Sequence, residues 1–249
     1  MSSILLQQLM ALETAVSYTT LPPPGQTAGH HSPGHIPILL SAPHSTAHQR
    51  NGRIKEEEEF TAAFVQYLAA QTGAHAFYAP FQSAIDPNWY PEAPYKKALQ
   101  QIMAQHHIRF VLDIHGMSNR YKIGLALGTM NGRSCPQHES LLVDTLAAQG
   151  FAPTSQTSSK KLERLQWNRL VLNHNRFTGG LSHHTVTRFV AETLGVAAAQ
   201  LELCSMVRIV KRGSHRDWRV PFHGDPQGIE TAVCALITLI NRLNHALQS

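Results

Sequence analysis

The chain has 249 residues, 43% of them hydrophobic and 15% charged, enough to bury a substantial core and too apolar for a disordered or fibrous protein. Its formal net charge of +5 is scattered, with no Lys/Arg block interleaved with aromatics, which argues against a nucleic-acid partner. No apolar run approaches the roughly 18 residues of a membrane span, and Cys135, Cys204 and Cys234 form neither a ligand pair nor a disulfide pattern, so a cytoplasmic protein with no membrane partner is expected.

Ile4, Leu5, Leu6, Leu9 and Met10, interrupted by Gln7 and Gln8, predict a short amphipathic helix, without the basic region or cleavage site of an export signal. Residues 21–34 are rich in Pro, Gly and His and read as a loop leading to the core; His30, His31 and His35 are taken as solvated side chains rather than a metal tract. Beyond residue 35, strand and helix patterns alternate. An apolar strand enters Pro43-His44-Ser45, and Glu56 to Glu59 are placed in the first turn of a helix on which Phe60, Phe64 and Leu68 recur and which Gly73 ends. A strand over 75–79 is followed by a helix over 95–106 with Leu99, Ile102 and Met103 inward and His106-His107 at its end. Then come the strand ending at His115, a strand over 123–127, a helix over 139–148 and a strand over 170–173. A helix over 185–194, a strand carrying Glu202 and a helix over 229–247 close the chain. Such alternation predicts an α/β fold, a mostly parallel sheet with helices on both faces. The whole chain, 1–249, reads as one catalytic domain, with the N-terminal helix and loop (1–34) preceding a core over 35–249.

The chemistry concentrates at strand ends. In Val111-Leu112-Asp113-Ile114-His115-Gly116 the residues two apart share a face, so Asp113 and His115 project together. His44 ends an equivalent strand, and ligands of open α/β sheets sit beyond the carboxyl ends of the strands. Glu202 stands inside Ala199-Gln200-Leu201-Glu202-Leu203-Cys204, where burying a carboxylate costs several kcal/mol unless it is paired, hydrogen-bonded, protonated or near a metal. Two histidines, an acid cluster and a strand-borne glutamate suit a three-ligand zinc site with a separate general base. His48, four residues after His44, is a reserve ligand.

Pro43-His44-Ser45, Asp86-Pro87-Asn88, Asp113-Ile114-His115, Gly128-Thr129, Gly179-Gly180 and Gln200-Leu201-Glu202-Leu203, in that order between residues 36 and 208, resemble the N-formylglutamate amidohydrolases. The resemblance implies a three-layer α/β/α, phosphorylase/hydrolase-like fold of the zinc-carboxypeptidase type, with a mostly parallel mixed central sheet. It also implies a divalent metal and hydrolysis of N-formyl-L-glutamate to formate and glutamate, typically late in histidine degradation. Carried over by position, it makes His44, His115 and Glu58 the metal ligands, with Glu57 or Glu59 open as the acid, and Glu202 the general base. Asp113 is expected to orient an imidazole from behind, and Asn88, Arg176, Gly179 and Gly180 to meet a small anionic N-acyl amino acid. Arg53, Arg120 and Arg188 are further candidates for its carboxylates.

The chain departs from the family pattern at Trp89, where an arginine is usual, and at Thr46, where glycine is common. Trp89 opens the alternative of a peptidase or deacylase for another acylated amino acid or peptide. A peptidoglycan amidase shares the kind of metal set but is exported. A metal-free binding protein on the same fold would have little reason to keep Glu202 between Leu201 and Leu203.

Overall fold

The computed structural model describes residues 2–26, 29–154, 166–211 and 223–248, the side chains of residues 2 and 3 excepted. In chain order its elements are α1 (Ser2–Glu13), β1 (His30–Ser32), β2 (Ile38–Ala42), β3 (His48–Arg50), β4 (Arg53–Lys55), α2 (Thr61–Thr72), β5 (His75–Tyr78), α3 (Pro94–His106) and β6 (Phe110–Met117). They continue with β7 (Ile123–Gly128), α4 (Glu139–Ala148), β8 (Ala152–Pro153), β9 (Gln166–Leu172), α5 (Val186–Arg188), β10 (Ala197–Cys204), α6 (Ser205–Arg208) and α7 (Pro226–Gln248).

Eight strands form one mixed sheet in the order β1-β5-β2-β6-β10-β7-β9-β8. Five neighbouring pairs are parallel, and β1 with β5 and β10 with β7 are antiparallel. Alternation along the strands builds two apolar layers. Ile38, Leu40, Leu112 and Ile114 face a core shared with α1, α2, α4 and α7, whereas Leu39, Val111 and Ala198 face the layer of Tyr95, Leu99 and Met103 from α3. The expected α/β class and three-layer arrangement are therefore present. Asp113 and His115 share the parity of Val111, and Gln200 and Glu202 that of Ala198, so all four side chains emerge on the α3 face.

Three local expectations need correcting. Residues 30–32 form the edge strand β1 rather than loop, because their backbone pairs with β5. The helix after His44 starts at Thr61, so Glu56 to Glu59 precede it; Phe60 is left-handed (φ 67°), and the chain turns there instead of continuing the helix backwards. The helix expected over 185–194 is one short turn, α5, running into a π-helical turn over Phe189–Thr193. The hairpin β3–β4 turns at Asn51-Gly52, both at positive φ, as a two-residue hairpin requires. α1 packs its Leu5 and Leu9 into the larger core. No helix among the described residues is long and apolar enough to cross a membrane.

Candidate metal centre and cleft

β2 and β6 are parallel neighbours, so His44, just past β2, and His115, near the end of β6, arrive at one end of the sheet. The turn before α2 is anchored to the same place by the Glu58 N–H, which donates to the His44 carbonyl at 2.8 Å. Glu58 consequently lies between the two imidazoles. Its Oε1 is 3.1 Å from His44 Nδ1 and its Oε2 is 2.9 Å from His115 Nδ1, while the Gly116 N–H donates to Oε2 at 2.9 Å. One donor atom from each of His44, Glu58 and His115 falls within 4.8 Å of the others. Of the four consecutive glutamates, it is Glu58 that reaches both rings.

The far nitrogen of each ring is also held. Asp86 Oδ1 lies 2.9 Å from His44 Nε2, and Asp113 Oδ2 lies 3.1 Å from His115 Nε2. Asp113 is fixed in turn by the Ser41 hydroxyl, which donates to Oδ1 at 2.9 Å. Carboxylates behind imidazoles fix the tautomer that leaves Nδ1 free to ligate. Asp86 also accepts from Arg50 Nε and has His48 Nε2 at 3.5 Å. His48 stacks on His44 with centroids 3.9 Å apart, lines the cleft, and forms with His44 and Asp86 a second group whose donor atoms lie within 4.8 Å of one another.

The electrostatics fit a divalent cation. Burial works against a charged His44, but Glu58 and Asp86 raise it to about 9; burial likewise opposes a charged His115, and Asp113 and Glu58 hold it well above the usual histidine range. Burial opposes the charge on Glu58 too, yet His115 and His44 keep it well below the usual carboxylate range. The surrounding acids thus stabilise two positive charges on the His44 and His115 rings, the charge a divalent ion would supply after displacing those protons. Burial and the neighbouring His44 push His48 down to about 3.

Glu202 faces this set from β10, in register with His115 on β6. Burial raises its carboxyl to about 7, and the Gln200 side-chain amide donates to Oε1 at 2.6 Å. His44, Glu58, His115 and Glu202 line a cleft of about 630 Å³, whose wall also includes Arg50, Arg120 and Arg176.

The other expected residues divide. Arg176 is exposed on the cleft wall. Gly179 (φ 80°) and Gly180 (φ 131°) also line it, but their conformation has a packing cause. A Cβ on Gly179 would come within 2.7 Å of the Gly128 carbonyl, and one on Gly180 within 2.6 Å of the Thr185 hydroxyl. Asn88 Oδ1 accepts from the Val186 N–H at 2.7 Å, and its Nδ2 lies 2.9 Å from His115 Nε2. It links α5 to the surroundings of His115 and lines the cleft. Arg188 pairs with Glu192 at 2.7 Å, and Arg53 lies exposed on β4, so neither repeats the position of Arg176.

Sequence reading missed the parts played by Asp86, Arg50 and Gln200. Asp86 opens the Asp86-Pro87-Asn88 motif, and Gln200 shares a strand face with Glu202, so each carried a signal. Arg50 carried none. Its guanidinium lies 5.0 Å from the centre of the Trp89 ring, so a cation stands beside that tryptophan.

Among solved structures, the chain is similar to N-formylglutamate amidohydrolase from Ralstonia eutropha JMP134, with a TM-score of 0.56 and 16% identity, covering 90% of this chain and 99% of that one. The two share a fold. A bacteriophage poly-gamma-glutamate hydrolase is also similar (TM-score 0.46, 13% identity, covering 96% of this chain and 95% of that one). So is a metallo-carboxypeptidase from Pseudomonas aeruginosa (TM-score 0.46, 14% identity, 99% and 68%). No family model and no curated protein sequence matches the chain. At such identities the likeness shows architecture alone.

Proposed function

We propose that this protein is a metal-dependent amide hydrolase that removes an N-acyl group, in the leading case formyl, from an acidic amino acid. The observation that carries the proposal is the convergence of His44, Glu58 and His115 opposite the buried Glu202. His44, Glu58 and His115 would hold a zinc or similar divalent ion, which would supply Lewis acidity for activating water and the amide carbonyl.

The chain's own groups do the rest. Glu202, poised near neutrality, takes a proton from the attacking water and delivers it to the leaving nitrogen as the C–N bond breaks, yielding the free carboxylic acid and the amine. Asp86 and Asp113 hold the two imidazoles in orientation, and Gln200 fixes the Glu202 carboxylate. Arg176, with Arg50 and Arg120, gives the cleft a cationic wall suited to the carboxylates of an acidic amino acid.

One observation favours a second substrate. A cleft of about 630 Å³ lies in the middle of the roughly 300–1,000 Å³ range that encloses drug-sized ligands, so a longer acyl group or a peptide also fits. The deciding experiment measures metal content for wild type, His44→Ala and His115→Ala, together with formate release from N-formyl-L-glutamate. One ion lost in both variants, with formate released by wild type, is expected. Metal binding without formate release moves the search to larger N-acyl amino acids. Retention of all metal by both variants would refute the site.

A further inference from the structure

A second histidine cluster lies on another part of the sheet. β1 pairs with β5 so that His31 stands opposite Phe77, and His75, two residues before Phe77, is its diagonal neighbour on the same face. That face is covered by α3, whose last residue is His106. Three imidazoles from three elements therefore meet at one edge of the sheet. The ring centroids are 5.6 Å apart for His31 and His75, 5.0 Å for His31 and His106, and 4.8 Å for His75 and His106. A nitrogen from each lies within 4.8 Å of the other two.

We infer that His31, His75 and His106 form a second divalent-metal site of the zinc class, clasping the edge strand β1 to β5 and the end of α3. His31 Nε2 and His75 Nδ1 are 3.3 Å apart. This is long for an N–H···N hydrogen bond, yet it matches the edge of about 3.3 Å expected between two nitrogens bound tetrahedrally at roughly 2.05 Å. Ligation at that edge requires the two rings to turn toward a common point and one to change tautomer, with no net loss of a proton from a neutral pair. Neutrality is built in: burial, followed by the charges of its histidine neighbours, brings His75 down to about 4, and burial also lowers His31. Among the described residues, no carboxylate belongs to the cluster. An all-imidazole set favours zinc, nickel, cobalt or copper and disfavours calcium and magnesium, which prefer oxygen. His75 is buried while His31 and His106 are only partly so, leaving the outer side open to water or an external ligand.

The test is zinc stoichiometry of the full chain by equilibrium dialysis and elemental analysis, for wild type, His31→Ala and His106→Gln. His184→Gln serves as an exposed-histidine control. The two partly exposed positions are chosen so that folding survives, checked by circular dichroism in chelator. Each cluster variant is expected to bind one ion fewer per chain than wild type, whatever number wild type binds, and to lose part of the zinc-induced rise in unfolding temperature; His184→Gln should match wild type. Because the comparison is with wild type, the result is independent of whether His44, Glu58 and His115 hold metal. Unchanged stoichiometry in both cluster variants, or an equal loss in the control, would overturn the inference.

Discussion

Glu202 stands directly across from His115 in the parallel register of β10 and β6, which places a proton acceptor beside a ring that also contacts Glu58. Replacing Glu202 by Gln should leave His44, Glu58 and His115 in place and remove the proton transfer of the proposed reaction. The expected result is a fall in kcat of about 100- to 10,000-fold with metal content unchanged. Loss of metal along with activity would show instead that Glu202 supports the ligands.

The carboxylates behind the imidazoles make a separate prediction. Asp113→Ala and Asp86→Ala each free one ligand ring to rotate and change tautomer. Zinc affinity, measured by competition with a chromogenic chelator, should fall roughly 10- to 100-fold in each. The Asp86 variant should be the more disturbed of the two, because Arg50 and His48 lose the same partner.

The sheet, His115 and Glu202 were legible because they sit on regular strands, and His44 because it directly follows one. Period-two alternation places His115 beside Asp113, and the apolar surroundings of Glu202 mark it as out of place in an inert core. What escaped prediction depends on contacts between segments distant in sequence. Glu58 could not be distinguished from Glu57 or Glu59 by periodicity, since a left-handed Phe60 separates it from the helix and its position is set by the His44 carbonyl. β1 was hidden by its loop-like composition, and His31 acquires neighbours only through pairing with β5. The β3–β4 hairpin was not anticipated: Asn51-Gly52 is a turn-forming pair, but Arg50, Arg53 and Lys55 lack the apolar alternation that usually marks the flanking strands.

Arg176 and Arg50 should behave differently. Arg176 is exposed on the cleft wall, so Arg176→Ala should raise KM for an anionic N-acyl amino acid about tenfold or more and leave kcat nearly unchanged. Arg50 is bonded to Asp86 as well as facing the cleft, so Arg50→Ala should also weaken zinc binding. Steady-state kinetics and chelator competition on both variants separate substrate binding from ligand support. An unchanged KM in Arg176→Ala would remove that residue from the recognition surface.

The N-terminal helix is coupled to the ligand-bearing turn through Glu13. Its carboxylate accepts from the Phe60 N–H at 2.5 Å, from the Ala63 N–H at 3.3 Å and from the Tyr18 hydroxyl, closing the N-terminus of α2 two residues after Glu58. Burial outweighs those hydrogen bonds and raises its carboxyl from 4.5 to about 7. Between those values the folded chain keeps a proton that the unfolded chain has lost, so folding stability must fall as pH rises from about 4.5 to about 7 and then level off with respect to this group. The difference amounts to about 3 kcal/mol at full separation. Urea unfolding of wild type and Glu13→Gln at pH values on either side of that interval isolates it from the other titrating groups. Wild type should lose stability with rising pH by about that much more than the variant, whereas parallel pH profiles would mean that Glu13 remains ionised in the folded protein throughout.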